Sequence, residues 1–85
     1  MNSRYFNIAG MQVITPNNNV DIDKAYSDGI YVESAGNIKV AFKDGTTHTF
    51  KNLVAKDTIQ ANIARVYSTG TTVTSTDIFG LKLDP

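Results

Sequence analysis

The chain has 85 residues, no cysteine, one histidine and equal numbers of acidic and basic side chains, eight of each. That balance lacks the basic excess of a nucleic-acid binder, and the missing cysteines exclude a disulfide framework and a thiolate metal site. One domain of this size buries only about 60–65 % of the surface its unfolded chain exposes, so oligomerisation or docking on a larger body is the expected source of extra stability.

Residues 1–28 differ in character from the rest and read as an N-terminal arm with a lead-in loop; residues 29–85 read as the β domain of a single-domain protein. The opening MNSRYFNIAG carries no apolar stretch of the signal-peptide kind. Nowhere does an apolar run approach the roughly 20 residues that span a bilayer. Neither nucleic acid nor membrane is therefore an expected partner. Within the arm, MQVIT reads as one short strand. TPNNN reads as a turn, because proline fixes φ and asparagine tolerates left-handed backbone. VDIDKAY has the makings of one helical turn.

From Gly29 the pattern sharpens. Ile30 and Val32 share one face of a strand and Tyr31 and Glu33 the other, after which SAGN turns the chain. In NIKVAFK, Ile38, Val40 and Phe42 alternate with polar or small residues, the period of a half-buried strand. Asp44-Gly45 is a strong hairpin signal and predicts a type I′ turn, which needs positive φ twice. The Thr-rich TTHTF reads as the return strand. Together these predict a β-meander over residues 29–53. AKDTIQANIARVY is ambiguous, since Ile59, Ile63 and Val66 recur at helical spacing while Ile59, Ala61 and Ile63 alternate as in a strand. STGTT reads as a turn about Gly70, and TDIFGLKL as a last strand with Phe79, Leu81 and Leu83 on one face. The predicted fold is all-β: a small antiparallel β-sandwich or barrel with an extended N-terminal arm.

Little in the chain is reactive. There is no nucleophile motif, and His48 has no acidic partner in sequence, so it reads as a solvent or interface residue rather than a base. Asp21 and Asp23 have the spacing that opens a calcium loop, but the glycine and closing glutamate of such a loop are missing. The glycines are isolated turn residues, not a phosphate cradle. No cofactor, metal or catalytic residue is expected. What remains is surface: Tyr5, Phe6, Tyr26, Tyr31 and Tyr67 are many aromatics for so small a core, and aromatics concentrate at the buried centres of interfaces. A structural or binding module is the expected class. An adhesion or carbohydrate-binding module is the alternative, weakened by the absence of tryptophan.

DGIYVESAGNIKVAFKDGTTHTFKNL, followed by IARVYSTGTTVTSTDIFGL, resembles a family of small proteins of tailed bacteriophages and gene transfer agents: head-spike base proteins, with similar chains acting as capsid decoration or cement proteins. Ile30, Tyr31, Val32, Ala35, Gly36, Asp44, Gly45, Thr49, Phe50, Arg65, Val66, Thr69, Gly70, Thr71, Thr72, Ile78 and Leu81 fall into the family's order and spacing. Glu33 stands where the family usually has glycine, and VAKDTIQA replaces a proline- and glycine-containing loop. The resemblance implies that Ile59 to Tyr67 is a strand. It also implies a non-enzymatic virion component on the capsid exterior, made in the host cytoplasm. Its implied partners are the major capsid protein, further copies of itself in a trimer or pentamer, and a spike or fibre protein. The expected contact residues are Tyr5, Phe6, Ile8 and Met11 in the arm, with Tyr31, Arg65 and Tyr67 behind them.

Overall fold

The structure, a computed structural model, describes residues 8–84. Seven strands run in the order β1 (Ile8–Val13), β2 (Gly29–Val32), β3 (Gly36–Phe42), β4 (Thr47–Leu53), β5 (Thr58–Gln60), β6 (Ile63–Val66) and β7 (Ile78–Leu83), with short 3-10 turns at Lys24–Tyr26 and Ser75–Asp77. They form two antiparallel sheets, one ordered β1-β7-β2-β5 and the other β4-β3-β6. The fold is the expected small all-β sandwich.

Nine buried residues make the core between the sheets: Ile14, Ile30, Val32, Ile38, Val40, Ile63, Val66, Val73 and Ile78. Every one is isoleucine or valine. Branching at Cβ restricts χ1 and suits a pleated surface, so these residues favour the strand locally while supplying the apolar interior. Burying each contributes roughly 1.5–3 kcal/mol. Phe42, Phe50, Leu53 and Ile59 close the margins.

The β-meander expected over residues 29–53 is corrected. β2 pairs with β5 and β7, whereas β3 pairs with β4 and β6 in the other sheet. The chain changes layers at Glu33–Ala35, where the Glu33 amide donates to the Asp77 carbonyl (2.9 Å). The reason is the core: Ile30 and Val32 must face Ile38 and Val40, and two layers bury both pairs where one sheet would leave them on a single open face.

The turn type is corrected as well. Among the described non-glycine residues only Asn52 and Lys56 have positive φ, so Asp44-Gly45 does not form the expected type I′ turn, which would need positive φ at Asp44 as well. Instead the Gly45 amide donates to the Phe42 carbonyl (3.0 Å), the Phe42 amide donates to the Thr46 carbonyl (2.8 Å), and Gly45 takes φ 91°. This is the longer hairpin in which a type I turn is followed by a left-handed glycine. Asp44 favours it by accepting from both the amide (3.0 Å) and hydroxyl (2.6 Å) of Thr46 through one carboxylate oxygen.

The ambiguous segment is neither a helix nor one strand. β5 lies in the four-stranded sheet and β6 in the three-stranded one, with the crossing at Ala61–Asn62. The helical spacing of Ile59 and Ile63 arises because each enters the core from a different layer. The part of the expected arm that is described is a sheet member: β1 pairs along β7 from Ile8↔Leu83 to Val13↔Phe79. After it, residues 14–22 cross the end of the sandwich and follow the outer edge of β6. The Asn17 amide donates to the Val66 carbonyl (2.8 Å) and the Ile22 amide to the Ala64 carbonyl (3.0 Å).

Candidate interaction surface

In an antiparallel sheet, directly paired residues share a face, so the register of β1, β7, β2 and β5 fixes what lies on the side away from the core. Two rows cross the whole sheet there. One is Val13, Phe79, Tyr31 and Thr58; the other is Met11, Leu81, Gly29 and Gln60. Ile8 and Leu83 extend the face at one end. No charged side chain occupies any of these positions. Ile8, Met11 and Val13 are 45 %, 43 % and 52 % exposed, and Tyr31, Phe79 and Leu83 are half-buried. Leu81 belongs to this face yet is fully buried. It sinks over Gly29, where an added Cβ would stand 3.3 Å from Leu81 Cδ1 and only 2.7 Å from the Ile59 carbonyl.

A sheet packed on one side ordinarily presents polar side chains on the other. The three-stranded sheet does so: Lys39, Ala41, Thr47, Thr49 and Arg65 share its outer face. The four-stranded sheet does not. At about 4.8 Å per strand and 3.4 Å per residue, strands of six, six, four and three residues give it an outer face of roughly 300 Å². The largest apolar patch on a typical monomer is itself about 300–600 Å² and often functional, which makes this face the candidate contact surface.

The expected contact residues divide into three groups. Ile8, Met11 and Tyr31 come together on the apolar face. Arg65 and Tyr67 lie at the opposite sheet and are engaged within the chain. The Arg65 guanidinium pairs with Asp21 (2.8 Å) and donates to the Asn18 carbonyl (3.1 Å). Tyr67 receives the Lys39 ammonium at 5.1 Å and the Arg65 guanidinium at 5.9 Å from its ring centre. Tyr5 and Phe6 lie outside the described residues. Sequence reasoning missed Val13, Phe79, Leu81 and Leu83. The signal was present in β7, whose Ile78 and Phe79-Leu81-Leu83 are apolar in both phases, the mark of a strand covered on both sides.

The surface holds no constellation of catalytic type among the described residues. His48 is exposed and packs edge-on against Phe50, ring centres 4.8 Å apart. One surface groove is lined by Val13, Ile14, Val20, Asp21 and Ile22, and another by Ile22, Lys24, Ser27, Lys43 and Ile63. Among the described residues, no group of three or more His, Asp or Glu stands where it could hold a metal ion. Among the described residues, no helix is long and apolar enough to cross a membrane.

No family model matches the chain, and no curated protein matches it. Among solved structures it is similar to a chain from the capsid of a native gene transfer agent (GTA) particle computed with C5 symmetry. The TM-score is 0.73 and the identity 21 %, and the match covers 88 % of this chain and 83 % of that one. At that identity the likeness establishes the shared fold.

Proposed function

We propose that this chain is a virion structural protein of a tailed phage or gene transfer agent, bound as a homo-oligomer to the outside of the capsid as a decoration, cement or head-spike base protein. The observation that carries the reading is the uncharged apolar outer face of the four-stranded sheet. A free monomer would keep that face in water. An assembly covers it, with neighbouring copies and the major capsid protein as the available partners. The resemblance of the Gly29–Leu81 motifs and the fold shared with a GTA capsid chain support the same reading.

Physically, weak contacts suffice for such a role. A symmetric shell repeats each contact many times, and effective concentration multiplies modest affinities. No catalytic group is required. Tyr31 supplies a rigid aromatic anchor of the kind enriched at interface centres, while Arg65, stacked by Tyr67, holds the loop that follows β1 through Asp21 and Asn18. The test is to mix purified protein with empty heads that lack it, pellet the heads, and melt them. Co-sedimentation together with a raised melting temperature is the expected result for a cement. Co-sedimentation without a thermal shift identifies a platform for a spike. Protein that stays in the supernatant refutes the capsid reading.

A further inference from the structure

Exposed edge strands invite pairing with another chain unless they are short, charged, bulged or covered. Three of the four sheet edges here are blunted in one of these ways. β6 is covered by residues 17–22 through the Asn17 and Ile22 amides. β4 carries Lys51 and is broken by the left-handed Asn52 at φ 61°. β5 is only three residues long. β1, Ile-Ala-Gly-Met-Gln-Val, has neither a charge nor a proline, and its bulge between Ile8 and Gly10 leaves the run from Gly10 to Val13 regular. The Ile14 amide donates to the Ile78 carbonyl (2.8 Å). Antiparallel partners alternate between bonded and non-bonded pairs, so Gln12, opposite Gly80, also bonds to β7. Met11 and Val13 therefore turn their N–H and C=O groups away from the sheet. Among the described residues, no group bonds to them.

The same two residues carry exposed apolar side chains at this margin of the outer face. A strand laid along β1 thus gains backbone hydrogen bonds and widens the apolar contact together. The face needs widening: roughly 300 Å² is less than half of the roughly 800 Å² per partner of a stable binary interface. Residues of the added strand beside Met11 and Val13 share their face. They are apolar, because a charge covered there would have no partner. The residue between them points to the other side, where a groove of about 290 Å³ runs between the β1 edge at Gln12 and Ile14 and the loop at Val20, Asp21, Ile22 and Asp23. Ile14, Val20 and Ile22 give this groove apolar walls, and no cation lines it. Asp21 gives one oxygen to Arg65 and Asp23 one to the Ala25 amide; the second oxygen of each is unbonded among the described residues. Apolar walls with carboxylates at the rim suit a long side chain with an apolar stem and a cationic head.

We propose that β1 is a strand-accepting edge: an extended segment of the shell protein adds beside Met11 and Val13, carrying a lysine or arginine between two apolar residues. This deepens the capsid reading above and rests on it.

The test is amide exchange on the free protein and on protein bound to empty heads, quenched at set times and read by NMR after the heads are dissociated. The Met11 and Val13 amides are expected to exchange at least about tenfold more slowly on heads, whereas Gln12, already bonded to β7, is slow in both. Val13→Ala and Val13→Pro both trim the side chain, but only proline removes the outward amide, a loss that an edge strand tolerates. Both variants are expected to keep the circular dichroism of the folded sandwich, with head binding at least about tenfold weaker for Val13→Pro than for Val13→Ala. On the groove rim, Val20→Glu is expected to bind heads more tightly than Val20→Lys; equal or reversed affinities overturn the basic residue. Pelleted protein whose Met11 and Val13 amides exchange as fast as in solution overturns the added strand and leaves the capsid reading standing. That result decides the question whether or not Val13→Pro folds. Amides slowed by concentrating the free protein without heads identify a second copy on β1 and overturn the partner strand. Protein that stays in the supernatant overturns the capsid reading itself.

Discussion

Tyr31 and Phe79 stand side by side on the outer face of the four-stranded sheet, ring centres 6.2 Å apart and tilted by 45°. An aromatic pair of this kind is worth about 0.5–1.5 kcal/mol beyond its buried area. Folding gives half-buried Tyr31 a moderate role. Association gives it a larger one. Tyr31→Ala is expected to lower the unfolding free energy by about 1–3 kcal/mol, the aromatic pair and the buried part of the ring together, while weakening self-association or head binding more than about tenfold. Urea unfolding and light scattering on the same sample separate the two effects. Equal losses in both would make Tyr31 a packing residue.

The core tests the opposite case. Ile38 is fully buried between the layers. Ile38→Ala removes apolar surface and leaves a cavity, costing about 2–5 kcal/mol. That is a large share of the roughly 5–15 kcal/mol that holds a small domain together. Ile38→Val should cost only about 1 kcal/mol. Denaturant midpoints for the pair are expected in that order, with head binding by the folded Val variant unchanged.

Asn18 ties the lead-in loop to the turn beyond β6. Its side-chain carbonyl accepts from the Ser68 amide (3.0 Å) and the Thr69 amide (3.1 Å), and its amide group donates to the Thr69 hydroxyl (2.9 Å). Asn18→Ala removes all three hydrogen bonds, which are exposed, and is expected to cost about 0.5–1.5 kcal/mol. Asn18→Asp keeps the acceptor and should cost less. Hydrogen exchange at the Ser68 and Thr69 amides reads the difference directly: both accelerate in the Ala variant and stay protected in the Asp variant.

The hairpin turn carries a pH signature. The Thr46 hydroxyl and amide, bonded to the Asp44 carboxylate, hold that acid below its ordinary pKa even though it is fully exposed. A lowered folded-state pKa contributes stability above the ordinary carboxylate value, and the contribution disappears as pH falls through the lowered one. Thr46→Val removes the hydroxyl, the larger cause, and is expected to move the Asp44 pKa back toward normal. A carboxyl-carbon NMR titration of Asp44 in both proteins measures it. No movement would mean that the turn, rather than the hydroxyl, sets the value.

Local features were legible in the sequence where a single strand or turn carries its own pattern. The alternation of Ile38, Val40 and Phe42, the glycine at position 45 and the turn about Gly70 all mark real elements. Long-range partnership was not. β2 follows directly into β3 along the chain, yet its neighbours are β5 and β7. Nothing local to Gly29–Val32 records a pairing with a strand that begins at Ile78. The outer face was half legible for the same reason. Ile8, Met11 and Tyr31 can be picked as unexplained apolar or aromatic residues, but a row such as Met11-Leu81-Gly29-Gln60 draws one residue from each of four distant segments. The helical spacing of Ile59 and Ile63 misleads because a layer change between them imitates a period that no helix produces.

Covering of the four-stranded sheet is the central physical claim, and hydroxyl-radical footprinting of intact particles reads it at Met11 and Tyr31. In the isolated chain Met11 is 43 % exposed and open to oxidation. Inside the particle, Met11 and Tyr31 are predicted to react at least about tenfold more slowly than in the free protein diluted until light scattering reads a monomer, with exposed His48 reacting alike in both. Met11 and Tyr31 oxidising as fast in the particle as in the monomer would contradict the account.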